Sequence, residues 1–280
     1  MGSEMCIRDS DMRATMSAFM SAGTTCGTSL GTLIGARFIT IQLPGFIIAG
    51  ILMGIAGICT VAVWPREKSS KDMPAVKGGL GDLLASFRPP VKGARDFWLA
   101  FTGRTLLIFS YYMILNYQLY ILESYIGQDK AAAAATISAM SVITMVVGLI
   151  GSLTSGAISD FIGRRKLPVI IASILLVIGY FLPWVMKSAS SMIMFAGFAG
   201  LGYAVYGAVD QALNVDVLPS KEEAGKDLGI LNIATTLGQM VGPIITSILV
   251  GVGGYTLVFP TAIIFAFIAC IFIQLIRSTK

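Results

Sequence analysis

Charged and hydrogen-bonding side chains recur on one face of an otherwise apolar stretch near the middle of the chain. Arg104, Tyr111 and Gln118 follow one another at seven-residue intervals, and Tyr112 and Asn116 lie beside them. Seven residues are close to two turns of an α-helix, so these side chains share one face. Hydroxyl, amide and aromatic groups can hydrogen-bond to a polyol and stack on it. The pattern is the one that a water-filled path for such a solute requires.

A second stripe of the same kind lies about one hundred residues further on. Tyr203, Tyr206, Asp210 and Asn214 stand at positions i, i+3, i+7 and i+11, again on one face of a helix. We therefore expect Tyr111, Tyr112, Asn116 and Gln118, with Tyr203, Tyr206 and Asn214, to bind substrate.

Arg104 and Asp210 are the ionisable members of the two stripes, and a charge inside an apolar helix is costly enough to indicate function. Arg104 lies about seven residues from one end of its stretch, and Asp210 about nine residues before Pro219. At 1.5 Å per residue both lie roughly 10–14 Å from the same side. The depths predict an ion pair, direct or through water, in a gate or coupling site. In the alternative, each side chain snorkels to the interface and only supports the structure.

The elements that carry these residues are too apolar for a soluble protein. The chain has 280 residues, of which 55% are hydrophobic and 12% charged, against about 25% charged in soluble domains. Its mean hydropathy is +0.81. Eight stretches are long enough to cross a bilayer as helices, which predicts an all-α integral membrane fold. They cover residues 15–38, 43–64, 98–122, 133–158, 167–186, 191–215, 228–250 and 255–276.

Several classes of function are disfavoured by what the sequence lacks. It contains no histidine, which excludes imidazole metal sites and Ser-His triads, and its four cysteines show no CxxC spacing. There is no P-loop for a nucleotide-driven pump, and no cluster of nucleophiles or carboxylates for a membrane enzyme. We expect no enzymatic activity, no metal and no cofactor.

The basic residues predict the orientation. Sixteen of the 20 lysines and arginines fall on the side of both termini, three fall on the other side, and Arg104 lies within a span. Cytoplasmic loops are enriched in basic residues, so both termini are predicted to be cytoplasmic, in the plasma membrane. This bias also accounts for the net charge of +5 without a nucleic-acid partner.

Two spans carry glycines at four-residue spacing, which lets helix backbones approach closely. They are six spans apart, as a duplicated six-helix unit would place them. Generic close packing is the alternative. The residues predicted to pack helices are Gly23, Gly27, Gly31 and Gly35 in the first span and Gly238, Gly242 and Pro243 in the seventh.

The turn between the fourth and fifth spans resembles the loop signature of the major facilitator superfamily, G-x-x-x-D-(R/K)-x-G-R-(R/K). Phe161 departs from the signature where a basic residue is usual. The resemblance implies a cytoplasmic latch between two helix bundles, in which Asp160 meets Arg13 or the start of the first span. A simple helix cap is the alternative. The matching residues are Gly156, Asp160, Gly163, Arg164 and Arg165.

The weaker form of this signature implies that the eight spans correspond to family helices 5–12, with four helices of the family missing before them. Residues 1–10 are then a non-native leader, and 11–64 the last two helices of the N-terminal bundle. Residues 65–97 are the cytoplasmic central loop, and 98–280 the six-helix C-terminal bundle.

The stretch 209–234 is similar to the sugar–cation symporter and sucrose-transporter-like branches. That resemblance implies alternating-access transport of a sugar or glycoside, coupled to a proton or another cation, by a protein that is monomeric when full length. A drug or metabolite efflux antiporter of the same superfamily is an alternative, as is an inactive fragment lacking four helices. The expected partners are the small solute, the coupling ion and the lipid bilayer.

Overall fold

The computed structural model describes residues 13–39, 42–63, 89–90, 94–162, 166–219 and 224–277. Within these ranges all regular structure is helical. The eight long helices are α1 (Arg13–Arg37), α2 (Gln42–Val63), α3 (Arg95–Leu115), α4 (Lys130–Ile162), α5 (Lys166–Met186), α6 (Ala189–Asp216), α7 (Ala224–Gly253) and α8 (Val258–Gln274).

Each predicted span coincides with one of these helices, but their apolarity differs. Seven of them, α2 to α8, are long and apolar enough to cross a membrane. The helix α1 spans 25 residues, about 37 Å at 1.5 Å per residue, yet it does not reach the same apolarity. Seven of the eight predicted spans therefore meet this measure of apolarity among the described residues, because hydroxyl residues occupy one face of α1.

The third predicted span, 98–122, is not continuous. The helix α3 ends at Leu115, and a turn at Asn116 and Tyr117 separates it from a short helical segment, Gln118–Tyr120. A π-helical turn, Ile121–Ile126, follows and ends on Gly127 in the left-handed region, with φ 88°. Asparagine competes with the helix backbone for hydrogen bonds, which favours a break at this point.

The helices pack in an order that leaves a space between α1 and the helices α3 and α7. The helix α3 contacts α7 and α8, and α5 contacts α6 and α8. The helices α4 and α6 pack on each other, and α1 packs across both of them. The helix α2 has few contacts, almost all with α1, so its apolar side chains face outward along its length.

The glycine stripe of α1 does not form the predicted close contact. A methyl group added at any of its members would meet nothing within 4 Å among the described residues. The contact is instead made by glycines on the partner helices, where Thr25 lies on Gly148 of α4 and Ser21 on Gly207 of α6. The stripe that is open comprises Gly23, Gly27, Gly31 and Gly35.

The second glycine pattern does lie at a tight helix contact. A methyl group on Gly238 would come within 2.9 Å of the Thr105 carbonyl oxygen, and one on Gly242 within 3.1 Å of the Phe109 carbonyl oxygen. These close approaches bring α7 against α3, as the spacing predicts, and they place the polar residues of α7 beside Arg104. Pro243 follows within the same helix.

The ends of α3, α5 and α8 are tied together on the side that carries the termini. Asp96 in the first turn of α3 accepts a hydrogen bond from the Arg277 backbone N–H at 2.9 Å. The Lys166 ammonium at the start of α5 donates to the Ile276 carbonyl oxygen. A cation that caps the last carbonyls of a helix stabilises its end, so α8 is fixed against the rest of the bundle.

Candidate functional site

A cavity of about 680 Å³ with both polar and apolar side chains in its wall lies between α1, α3, α4, α6 and α7. All but one of the residues predicted to bind substrate, or to gate or couple transport, line it. Asn214 is the exception; it is buried beside the cavity and contacts Asp210. The predicted residues in the lining are Arg104, Tyr111, Tyr112, Asn116, Gln118, Tyr203, Tyr206 and Asp210.

The predicted ion pair between the two stripes is present. Arg104 Nη1 lies 2.8 Å from Asp210 Oδ2, and the two side chains are each 6% exposed. The pair joins α3 to α6 inside the bundle, where neither side chain reaches the interface as the snorkelling alternative requires. Removing two charges from water is costly, so such a pair needs further hydrogen bonds to be stable.

Those further bonds come from α7 and from α6 itself. Arg104 Nε donates to Thr235 Oγ1 at 2.9 Å, and Nη2 donates to Asn232 Oδ1 at 3.4 Å. Asn214 Nδ2, one helical turn after Asp210, donates to Asp210 Oδ2 at 3.1 Å. Arg104 is thus held from two helices at once. The spacing of the charged residues predicts the pair, but it does not point to Thr235.

Three oxygens around this pair are buried without a well-formed hydrogen bond. They are Asp210 Oδ1, Asn214 Oδ1 and the Tyr206 hydroxyl, and the Tyr206 hydroxyl interacts electrostatically with the Asp210 carboxylate. Buried polar atoms are nearly always hydrogen-bonded, so these oxygens leave acceptor capacity unused beside the cavity.

An aromatic wall stands between the ion pair and the opposite end of the cavity. The Tyr111 and Tyr203 rings stack with their centroids 4.2 Å apart and their planes at 8°. The Tyr112 ring meets Tyr203 edge-on at 6.3 Å, and its hydroxyl accepts a hydrogen bond from Gln239 Nε2 at 3.1 Å. The two predicted stripes therefore form one continuous surface, which Gln239 of α7 completes.

The α1 wall of the cavity consists largely of hydroxyl residues that the sequence reasoning did not single out. These residues recur every third or fourth position, which is the signal that would have identified a polar helix face. The glycine repeat on the same helix is the more conspicuous pattern, and it is offset by one residue from the threonines. The lining hydroxyl residues are Ser17, Ser21, Thr24, Thr25, Thr28, Ser29 and Thr32.

The loop signature lies mostly outside the described residues. This applies to Gly163, Arg164, Arg165 and the side chain of Asp160. Gly156 is buried in the last turns of α4, and Phe161, which departs from the signature, is 93% exposed. The predicted contact of Asp160 with Arg13 stays a prediction.

A sequence profile described as Major Facilitator Superfamily matches residues 104–280. The chain belongs to the major facilitator superfamily. The match covers more than half of the chain and begins at the cavity arginine. The chain is therefore a multi-pass membrane protein of a transporter family. The matched region contains most of α3 and all of α4 to α8.

Direct comparison with curated protein sequences found no match. Among solved structures, one match is the crystal structure of a bacterial homologue of the human lysosomal transporter Spinster, in an inward-facing and unoccupied conformation. The alignment has 13% sequence identity and a TM-score of 0.47, and it covers 94% of this chain and 68% of that one.

Proposed function

We propose that this protein carries a small, neutral, polyhydroxylated solute, a sugar or a glycoside, across the membrane by alternating access. The observation that carries the proposal is the composition of the cavity wall. Among its described residues the charged side chains are Arg104 and Asp210, which neutralise each other. The remaining polar groups are hydroxyls and amides beside tyrosine rings, and these groups bind hydroxyl-rich molecules.

The size of the cavity agrees with such a solute. Pockets for small molecules typically measure about 300–1,000 Å³, and this one has about 680 Å³. A net charge on the solute would have no counter-charge on this wall, because the Arg104 guanidinium already faces the Asp210 carboxylate. A neutral solute meets no such penalty.

We further propose that the Arg104–Asp210 pair couples solute movement to a proton or another cation. The chain has no histidine, so a proton taken up in the cavity must bind a carboxylate, and Asp210 supplies the one in the described lining. Neutralising Asp210 releases Arg104 from α6 while Thr235 and Asn232 still hold it on α7. That change alters the contact between two helices of the cavity wall.

The alternating movement is proposed to take place between α1 with α2 and the bundle α3–α8, with both termini in the cytoplasm of a plasma-membrane protein. The seam between the two parts is formed by α1 packing on α4 and α6, and it includes polar contacts. Ser17 Oγ donates to the Gly207 carbonyl oxygen at 3.3 Å, and the Ser21 and Ser152 hydroxyls are 3.2 Å apart. These hydrogen bonds must break for α1 to separate from α4 and α6.

Cross-linking this seam is expected to stop transport. In a chain whose native cysteines are replaced by serine, Ser21→Cys together with Ser152→Cys places two thiols that point at each other, as a disulfide requires. Oxidation should abolish uptake, and reduction should restore it, as measured in proteoliposomes. Each single substitution is the control and should be insensitive to the oxidant. Full transport by the cross-linked protein would show that α1 and α4 do not separate.

The proposed function is tested by uptake into proteoliposomes that contain the full chain. Radiolabelled glucose, mannitol and sucrose are compared with a lipophilic cation, each with and without an inward proton or sodium gradient. We expect uptake of a neutral polyol that rises with one of the gradients. Transport of the lipophilic cation alone would favour the efflux activity instead, and no transport of any probe would contradict the proposal.

A further inference from the structure

Three threonines form a regular row on the cavity face of α1. The hydroxyls of Thr24, Thr28 and Thr32 donate to the carbonyl oxygens four residues earlier, at 3.0, 2.9 and 2.8 Å respectively. All three line the cavity. Residues four apart on a helix lie one above another, so the three hydroxyls follow the axis of α1 along the cavity wall.

The intrahelical hydrogen bonds determine whether these hydroxyls can donate a hydrogen bond to a ligand or accept one from it. A hydroxyl has one hydrogen to donate and two lone pairs. Because each hydrogen is already bonded to the backbone of α1, the oxygens present acceptor lone pairs in fixed directions. At a rise of 1.5 Å per residue they are about 6 Å apart, and the row is about 12 Å long.

An independent observation also calls for hydrogen-bond donors in the same cavity. The Tyr206 hydroxyl and Asp210 Oδ1 belong to residues that line it and are 2% and 4% exposed. Neither atom makes a well-formed hydrogen bond within the protein. Two sides of the cavity, α1 and α6, therefore carry unused acceptor capacity, which suits a ligand rich in hydroxyl or N–H donors.

We propose that Thr24, Thr28 and Thr32 are specificity-determining residues that bind donor groups of the transported solute and orient its long axis along α1. This inference rests on the proposed transport of a neutral polyol. It adds that α1 recognises the solute and that its threonines do so as hydrogen-bond acceptors. It assigns to α1 a role in recognition in addition to its packing on α4 and α6.

Substituting the threonines by valine tests the row. Valine has the same shape and lacks the oxygen, so each of Thr24→Val, Thr28→Val and Thr32→Val should raise the uptake KM by about 3- to 10-fold, the loss of one neutral hydrogen bond. Serine at the same positions should keep the KM within about 2-fold of the unchanged chain, because it retains the acceptor.

The chain offers a matched control. Thr60 in α2 makes the same intrahelical bond, to the Ala56 carbonyl oxygen at 2.8 Å, but it does not line the cavity. Thr60→Val should leave KM unchanged, and Thr261→Val, which loses a similar bond to the Leu257 carbonyl oxygen, should do the same. An equal rise in KM for these controls would mean that the row acts only through helix stability.

Monodeoxy derivatives of the sugar that the unchanged chain transports separate a direct contact from an indirect one. One derivative lacks the hydroxyl group that donates to a given threonine. The unchanged chain should transport this derivative with the same raised KM that the valine variant shows for the complete sugar. Combining the two should cause no further rise. Valine variants with unaltered KM for a sugar that is transported would overturn the threonine row while leaving the proposed function in place. Failure of every polyol to be transported would overturn both.

Discussion

Asp210→Asn is expected to abolish gradient-driven uptake of the solute and to lower the stability of the protein. The change leaves the Arg104 guanidinium buried without its counter-charge, and breaking a buried pair in this way costs about 3–5 kcal/mol. It also removes the carboxylate that we propose binds the coupling ion. Uptake in proteoliposomes under a proton or sodium gradient, and the apparent Tm of the purified protein in detergent, measure the two effects.

A second variant separates the two roles of the pair. Arg104→Gln combined with Asp210→Asn removes both charges, so most of the lost stability should return while gradient-driven uptake stays absent. Asp129→Asn is the matched control, because Asp129 is exposed and accepts a hydrogen bond from the Ala132 backbone N–H at 3.3 Å. Full gradient-driven uptake by the double variant, or by Asp210→Asn alone, would reduce the pair to a structural role.

Gly179→Ala and Gly202→Ala are each expected to lower the apparent Tm of the protein. At Gly179 an added methyl group would lie 2.8 Å from the Ala199 backbone nitrogen, and at Gly202 it would lie 2.7 Å from the Ala172 carbonyl oxygen. Both obstacles belong to the backbone and cannot rotate away, so α5 and α6 must separate. Overpacking of this kind costs about 1–3 kcal/mol.

The control for this prediction is Gly229→Ala in α7, where the added methyl group meets nothing within 4 Å among the described residues. Alanine is favoured over glycine in a helix by roughly 0.5–1 kcal/mol, so this variant should be unchanged or slightly more stable. If all three variants shift the apparent Tm alike, the crossing of α5 and α6 is not as close as the structure has it.

The ion pair can be predicted from the sequence because it depends only on the position of each charged residue within its own span. A charged residue in an apolar span must face the bundle interior, and its depth follows from the helical rise, so Arg104 and Asp210 can be matched without knowing which helices are neighbours. The tyrosines of the two stripes follow in the same way. Helix periodicity alone brings all of these residues to buried faces.

The contributions of α1 and α7 could not be predicted by the same reasoning. Thr235 and Gln239 are uncharged residues that could face a neighbouring helix or the cavity, and only the packing of α7 on α3 shows which applies. On α1 the glycine repeat and the threonine repeat have the same spacing and differ by one position. Deciding which side chains of α1 line the cavity requires the neighbouring helices.

The mutual neutralisation of Arg104 and Asp210 has a consequence for the electrical behaviour of the transporter. Moving one elementary charge through a membrane potential of 100 mV exchanges about 2.3 kcal/mol. A solute without charge, held by a site without net charge, exchanges none of this energy with the field. If the proposed coupling is correct, voltage acts on the coupling ion alone, and the charge moved per solute molecule equals the number of ions that travel with it.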